Sequence, residues 1–293
     1  MRQVTPPNLG AIFRPQFPPE ALSEALVAAE DTSLSQLWLW EDCFLEGGLT
    51  TATAALSRTS QVTVGVGLMP VPLRNVAIAA MEIATIERLY PGRLRLAVGH
   101  GVQDWMYQVG ARVESPLTLM REYLDALREL LSGVRVSCEG RYVTLRDVAL
   151  DWPPSSRPHI FMGAVGPKSL ALCGEFADGV VLTEDATPEV VADSVGKCLD
   201  ARRAAGVTEP FEVVVYLRAY TGPDARERLQ TEERSHAVGA GIAGDVEAIA
   251  TRVRELAAVG AGTVCLLPSA ASTSAAEYLT QVAAPVQRLL LQG

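Results

Sequence analysis

Leu94-Arg-Leu-Ala-Val98 followed by Gly99-His100-Gly101 sets the pattern of this chain: a short apolar run of strand type, closed by a glycine turn. Working outward in both directions, the same unit recurs. The predicted strands are Leu9–Phe13, Gln36–Trp40, Val62–Val66, Leu94–Val98, His159–Gly163, Gly179–Leu182, Glu212–Arg218 and Thr263–Leu267, with amphipathic stretches between them. Strand and helix in alternation predict a parallel α/β fold. Eight such pairs in 293 residues fit a closed (β/α)₈ TIM barrel better than an open doubly wound sheet, with residues 1–293 as one domain.

The helices carry their own punctuation. Ser115-Pro116 opens a stretch with Leu117, Met120, Leu124, Leu127 and Leu131 on one face, and Gly133 suits the position just past its end. Thr187-Pro188 starts another, with Val191, Val195 and Leu199 expected inward, and Val246, Ile249, Val253 and Leu256 repeat at helical spacing before Gly260. One segment breaks the rhythm. Residues 134–158, between the fourth helix and the fifth strand, read as a hairpin with a proline-rich return, inserted on the barrel.

Composition narrows the function classes. A net charge of −9 with no basic run argues against nucleic acid or an anionic membrane surface as partner. The five cysteines, Cys43, Cys138, Cys173, Cys198 and Cys265, are scattered and show no C-x-x-C spacing. That pattern predicts neither a disulfide framework nor a zinc site, and points to a reducing cytoplasm. The first ten residues contain no apolar signal core, and no run reaches a membrane span.

In a barrel of this kind the loops after the strands build the site. After the second strand, Trp40-Glu41-Asp42-Cys43-Phe44 brings a carboxylate pair and a thiol, which either face the site or merely cap a loop. After the third, Gly67-Leu68-Met69-Pro70 continues as an apolar loop suited to a flat ring. After the fourth, Gly99 and Gly101 let backbone approach a ligand, and His100 could bond a ring or shuttle a proton. After the fifth, Gly163-Ala164-Val165-Gly166-Pro167-Lys168 enters a helix with Pro167 at its first position, an anion site by geometry. His159 and His236 have no such placing, and the three histidines have no metal-ligand spacing. Trp105, Met106 and Tyr107, with Trp40 and Phe44 across the mouth, suggest an apolar or aromatic organic substrate or simply pack the insertion.

Taken in order, Trp38–Phe44, Val64–Asn75, Tyr90–Gly101 and Ala164–Pro167 with Ala177-Asp178-Gly179 resemble the luciferase-like oxidoreductases. That superfamily includes flavin-dependent monooxygenases and enzymes of the deazaflavin coenzyme F420. The resemblance implies that Asp42 lies over the cofactor ring and that a non-prolyl cis peptide at Gly67–Leu68 forms a bulge behind it. It implies that Gly99–Gly101 passes beside the ring and that Val165-Gly166-Pro167 holds the phosphate. Trp40, Leu68, Met69, Gly163 and Ala164 complete the expected cofactor site, and Asp42, Cys43 and His100 are the catalytic candidates.

Two departures stand out. The deazaflavin-dependent sugar-phosphate dehydrogenases usually carry histidine after that aspartate and glutamate after the glycine turn; here the positions hold Cys43 and Val102. The resemblance therefore implies F420-dependent hydride transfer to or from another organic substrate. An FMN monooxygenase fed by a separate flavin reductase is the second reading, and a non-catalytic flavin or metabolite carrier the third. By the same resemblance a homodimer is expected.

Overall fold

Eight parallel strands close on one another in this computed structural model, which describes residues 7–32, 34–233 and 237–292. In chain order the strands are β1 (Asn8–Phe13), β2 (Gln36–Leu39), β3 (Thr63–Pro70), β4 (Leu94–Gly99), β5 (Val136–Glu139), β6 (Thr144–Val148), β7 (Ile160–Gly163), β8 (Gly179–Leu182), β9 (Glu212–Tyr220), β10 (Ile242–Ala243) and β11 (Thr263–Leu267). The barrel runs β1-β2-β3-β4-β7-β8-β9-β11 and returns to β1. The eight expected strands are thus the barrel strands, and β10 adds a two-residue pairing at the far end of β9.

Alternation along the strands separates two cores. Trp38, Phe161, Val214, Tyr216 and Cys265 point into the barrel, while Leu37, Leu39, Val213, Val215 and Leu217 pack outward under the helices. Inside, the ring of Trp38 meets those of Phe161 and Tyr216 edge-on, at 6.3 and 6.0 Å between centroids. Gly65 opposite leaves room for the indole, because a Cβ there would overlap it.

Several boundaries differ from expectation. β3 continues through Gly67–Pro70, which had been read as a loop, with a register shift between Val66 and Met69. A short helix, Gln103–Gln108, follows the turn after β4. In the helix Pro188–Ala204 the buried positions are Val191, Ser194, Cys198 and Arg202, whereas Leu199 is exposed. The inward face is rotated because Arg202 spans to the carbonyls of Gly174, Ala177, Glu209 and Pro210, a polar anchoring that apolar periodicity does not register. Gly133, at φ +79°, ends the helix Pro116–Leu131 as expected.

The insertion is the antiparallel hairpin β5–β6. Its turn is held by Glu122 of the preceding helix, whose carboxylate accepts from the backbone N–H groups of Arg141, Tyr142 and Val143. On the opposite side of the molecule Glu30 does the same for Ser60, Gln61 and Val62. Burial alone would raise its pKa, but the N–H groups of Val62 and Gln61, with Ser60, bring it down to about 2. A depressed carboxylate contributes stability above its ordinary pKa and loses it as pH falls through the depressed one. Glu30→Gln should therefore lower the melting temperature by a few degrees at pH 7, a deficit that fades below pH 4.5 and vanishes near pH 2. Thermal unfolding across that range checks it.

Candidate functional site

A cleft of about 550 Å³ opens over the C-terminal ends of the barrel strands, where five successive loops converge. Its floor is Tyr216 and Val181, the upper ends of inward-facing rows on β9 and β8. Leu68 forms a shelf beside them. The Gly67–Leu68 peptide is cis, as the resemblance implied, and the Tyr216 hydroxyl donates to the Gly67 carbonyl at 3.3 Å. A second cis peptide, Cys43–Phe44, was not anticipated.

The glycines around this shelf have a different reason from the one expected. A Cβ at Gly99 would overlap Cδ1 of Leu68, and one at Gly163 would sit 2.7 Å from both Leu68 methyls. Both positions are small enough for Leu68 to lie between β4 and β7. Gly101, at φ +69°, faces Met106, which is fully buried beneath the turn. Met69 also differs from expectation: alternation along β3 turns its side chain outward into the helix-facing core, away from the cleft.

The carboxylate pair after β2 divides. Glu41 is occupied structurally, since it accepts from Arg74 at 2.5 Å and from the N–H of Gly48 at the start of the next helix. The Asp42 carboxylate has no hydrogen bond or ion pair to any described residue, and Asp42 lines the cleft half-buried. Burial raises its pKa, the Glu184 carboxylate raises it further, and Arg14 pulls the other way. Cys43 lies outside the lining, and burial with the neighbouring Glu41 and Asp42 charges pushes its thiol up, so it holds its proton at neutral pH.

His100 lines the cleft with Nε2 3.4 Å from the Ser169 hydroxyl. Burial lowers its pKa against the pull of the Pro116 carbonyl, which leaves the ring neutral at pH 7. Its Nδ1 and the indole Nε1 of Trp40 are buried and make no well-aligned hydrogen bond to a described residue, although the Pro116 carbonyl stands near the His100 ring and the Tyr216 hydroxyl near the indole. Two such polar atoms on one cleft wall leave positions for a ligand to satisfy.

At the other end, Ala164, Val165 and Gly166 line the cleft where the helix Pro167–Phe176 begins. Pro167 is its first residue, Gly166 carries no capping side chain, and a Cβ at Gly166 would meet nothing within 4 Å. The first-turn N–H groups of such a helix are open to an anion. Lys168 stands exposed beside it.

Other lining residues were not among the expected ones: Tyr216, Thr183, Glu184 and Ser169. Tyr216 was legible in the inward alternation of Val214 and Tyr216 on its strand, and Glu184 in its position just beyond β8. Arg218, buried one step further along β9, holds Glu184 at 3.0 Å and Asp185 at 2.8 Å. Of the aromatic candidates for the mouth, Trp40 and Trp105 face the cleft, while Phe44 and Tyr107 project into solvent. His159 bonds Glu212 at the opposite, N-terminal end of the strands, and His236 lies outside the described residues.

Residues 4–254 match the luciferase-like monooxygenase family. The chain belongs to that family. A 5,10-methylenetetrahydromethanopterin reductase from Methanolobus tindarius is 30% identical over 175 residues, 60% of this chain and 53% of the relative. An F420-dependent glucose-6-phosphate dehydrogenase from Microbacterium testaceum is 28% identical over 231 residues, 73% of this chain and 68% of the relative. The match to the Methanolobus reductase thus spans only about half of that enzyme's length. Among solved structures, an F420-dependent secondary alcohol dehydrogenase in complex with an F420-acetone adduct superposes with a TM-score of 0.83 at 20% identity, over 96% of this chain and 98% of that one. At that identity the superposition bears on the fold. Among the described residues no helix is long and apolar enough to cross a membrane.

Proposed function

We propose that this chain, as one luciferase-like domain, is an oxidoreductase that uses coenzyme F420 to move a hydride to or from a small organic substrate. The observation that carries the reading is the cleft lining that joins the Leu68 shelf to the buried Trp40 Nε1 and His100 Nδ1, neither of which makes a well-aligned hydrogen bond to a described residue. A flat heteroaromatic ring offers polar edges for those atoms and a face for the shelf. The open start of the helix Pro167–Phe176 suits the phosphate of such a cofactor. The F420 dependence named for the dehydrogenase relative points the same way.

When bound, the deazaflavin supplies the hydride acceptor or donor. The rest falls to the chain. Trp40, Leu68 and His100 hold and orient the ring, Val165, Gly166 and Pro167 anchor its anionic end, and Val102, Trp105 and Val181 exclude water from the substrate side. Asp42, raised and unpaired, takes or returns the proton at the heteroatom of the substrate. Neither Cys43, which keeps its proton, nor neutral His100 is as well suited to that exchange.

Titration with F420 and with FMN, followed by quenching of intrinsic tryptophan fluorescence, tests the cofactor. Trp40 and Trp105 in the lining make the signal local. F420 should bind at micromolar concentration or below and FMN at least tenfold more weakly, a difference of about 1.4 kcal/mol. Tight FMN binding without F420 binding would install the monooxygenase reading with a separate reductase. Tight F420 binding without turnover of any substrate would favour the carrier. A cytoplasmic homodimer exchanging its cofactor with an F420 reductase belongs to the same proposal.

A further inference from the structure

The charge of the cleft is one-sided. Glu41, Asp42 and Glu184 line it, and among the described residues no lysine or arginine does. The one basic side chain among the described lining residues is His100, kept neutral by burial. The cations behind the wall are already engaged: Arg74 on Glu41 and Glu82, Arg218 on Glu184 and Asp185, Arg14 beside Glu232 at 3.7 Å. Counted over those groups, carboxylates outnumber guanidiniums, and the Asp42 carboxylate, though it feels Arg14, makes no hydrogen bond or ion pair to a described residue. Beyond Trp40 and Leu68, which hold the ring, the apolar lining on the substrate side is Val102, Trp105 and Val181.

From this arrangement we infer that the substrate side of the cleft selects an apolar, positively charged nitrogen compound, an amine or iminium, and rejects phosphorylated and carboxylate substrates, with Glu184 and Asp42 as the specificity-determining residues. The inference rests on the F420 reading for where the cofactor lies, and it adds the charge class of the second ligand. Three physical points carry it. A half-buried carboxylate without a partner is under-solvated, and a cationic ligand returns the counter-charge that water no longer supplies. The Trp105 ring adds a face that favours a cation over an anion. An anion entering the same space would meet two carboxylates inside a screening length, with no cation facing it.

Glu184 is well placed to hold this selectivity. Its carboxylate is fixed by Arg218, a side chain only 6% exposed, so the charge does not swing away when a ligand arrives. The anionic end of the cofactor is served after the neighbouring strand β7, by the start of the helix Pro167–Phe176, whose first residues bring no carboxylate into the lining. The two loops therefore suit groups of opposite charge. On this inference the sugar phosphate named for the Microbacterium relative would find no lysine or arginine among the described lining residues to pair with its phosphate.

The test uses the intact protein and three ligands of one shape: benzylamine, benzyl alcohol and benzoate. Dissociation constants are measured by tryptophan quenching at pH 7 and low salt, without turnover. Benzylamine should bind at least about tenfold more tightly than benzoate, with the alcohol between them, and the gap should narrow as salt is raised. Glu184→Gln should reduce the amine-to-benzoate ratio by about threefold or more, and Asp42→Asn likewise. Benzoate binding as well as benzylamine, or no discrimination among the three, would overturn the inference, as would a ratio unchanged in both variants. The F420 titration on the same preparation keeps the two readings apart: F420 binding with benzoate preferred defeats this inference and leaves the cofactor assignment standing.

Discussion

Asp42→Asn should lower kcat by about two orders of magnitude while the protein keeps its melting temperature and binds F420 within a few-fold of the parent. The side chain makes no hydrogen bond or ion pair to a described residue, and the opposed influences of Glu184 and Arg14 leave the fold little dependent on its charge. Its ionised form is disfavoured by burial and by Glu184, and an amide of the same shape removes that penalty. What the amide cannot do is exchange a proton. The pH profile supplies the second readout. For substrate oxidation the carboxylate must be ionised to accept a proton, so kcat falls as pH drops through the raised Asp42 pKa. That limb lies above the ordinary aspartate value of 3.8 and is absent in the variant. A melting temperature that falls together with kcat would make Asp42 a structural residue, and a variant with parental kcat would remove it from the chemistry.

The contrast between Asp42 and its neighbour shows what the sequence could and could not disclose. Glu41 and Asp42 are adjacent carboxylates after the same strand; both line the cleft, and Glu41 alone is also bound into the surrounding loops. The deciding facts are an arginine 33 residues away and the N–H of Gly48, contacts made only by the closed fold. The barrel itself was legible because strand length, apolar alternation and helix punctuation are local properties that repeat eight times. The hairpin was legible as a break in that rhythm. The face of the helix Pro188–Ala204 was not, because a buried arginine bonded to carbonyls in two other segments violates the apolar period. Glu184 and Tyr216 were within reach: one follows a predicted strand, and the other lies on the inward row of a predicted strand. The charge balance of the cleft was out of reach, since it depends on which arginines face inward and are already paired.

Gly99→Ala should damage the site more than the fold, because the new methyl group overlaps the end of a side chain and not the backbone. Leu68 lies between Gly99 and Gly163, with its methyls 2.7 Å from where a Cβ at Gly163 would stand and closer still at Gly99. Its one direction of escape is the cleft, which it already lines. Overpacking of this kind costs about 1–3 kcal/mol in stability. The displaced leucine then occupies the shelf on which the cofactor ring rests, and F420 affinity should fall by about tenfold, equivalent to 1.4 kcal/mol. A compensating change separates this account from general damage. Leu68→Ala in the Gly99→Ala background removes the obstructing methyls, so the double variant should bind F420 more tightly than Gly99→Ala alone. As a control, Gly196→Ala adds a methyl group in open space within the helix Pro188–Ala204 and should stabilise by about 0.5–1 kcal/mol. If the double variant binds no better than the single one, the two glycines are not there to seat Leu68, and the shelf loses its place in the cofactor site.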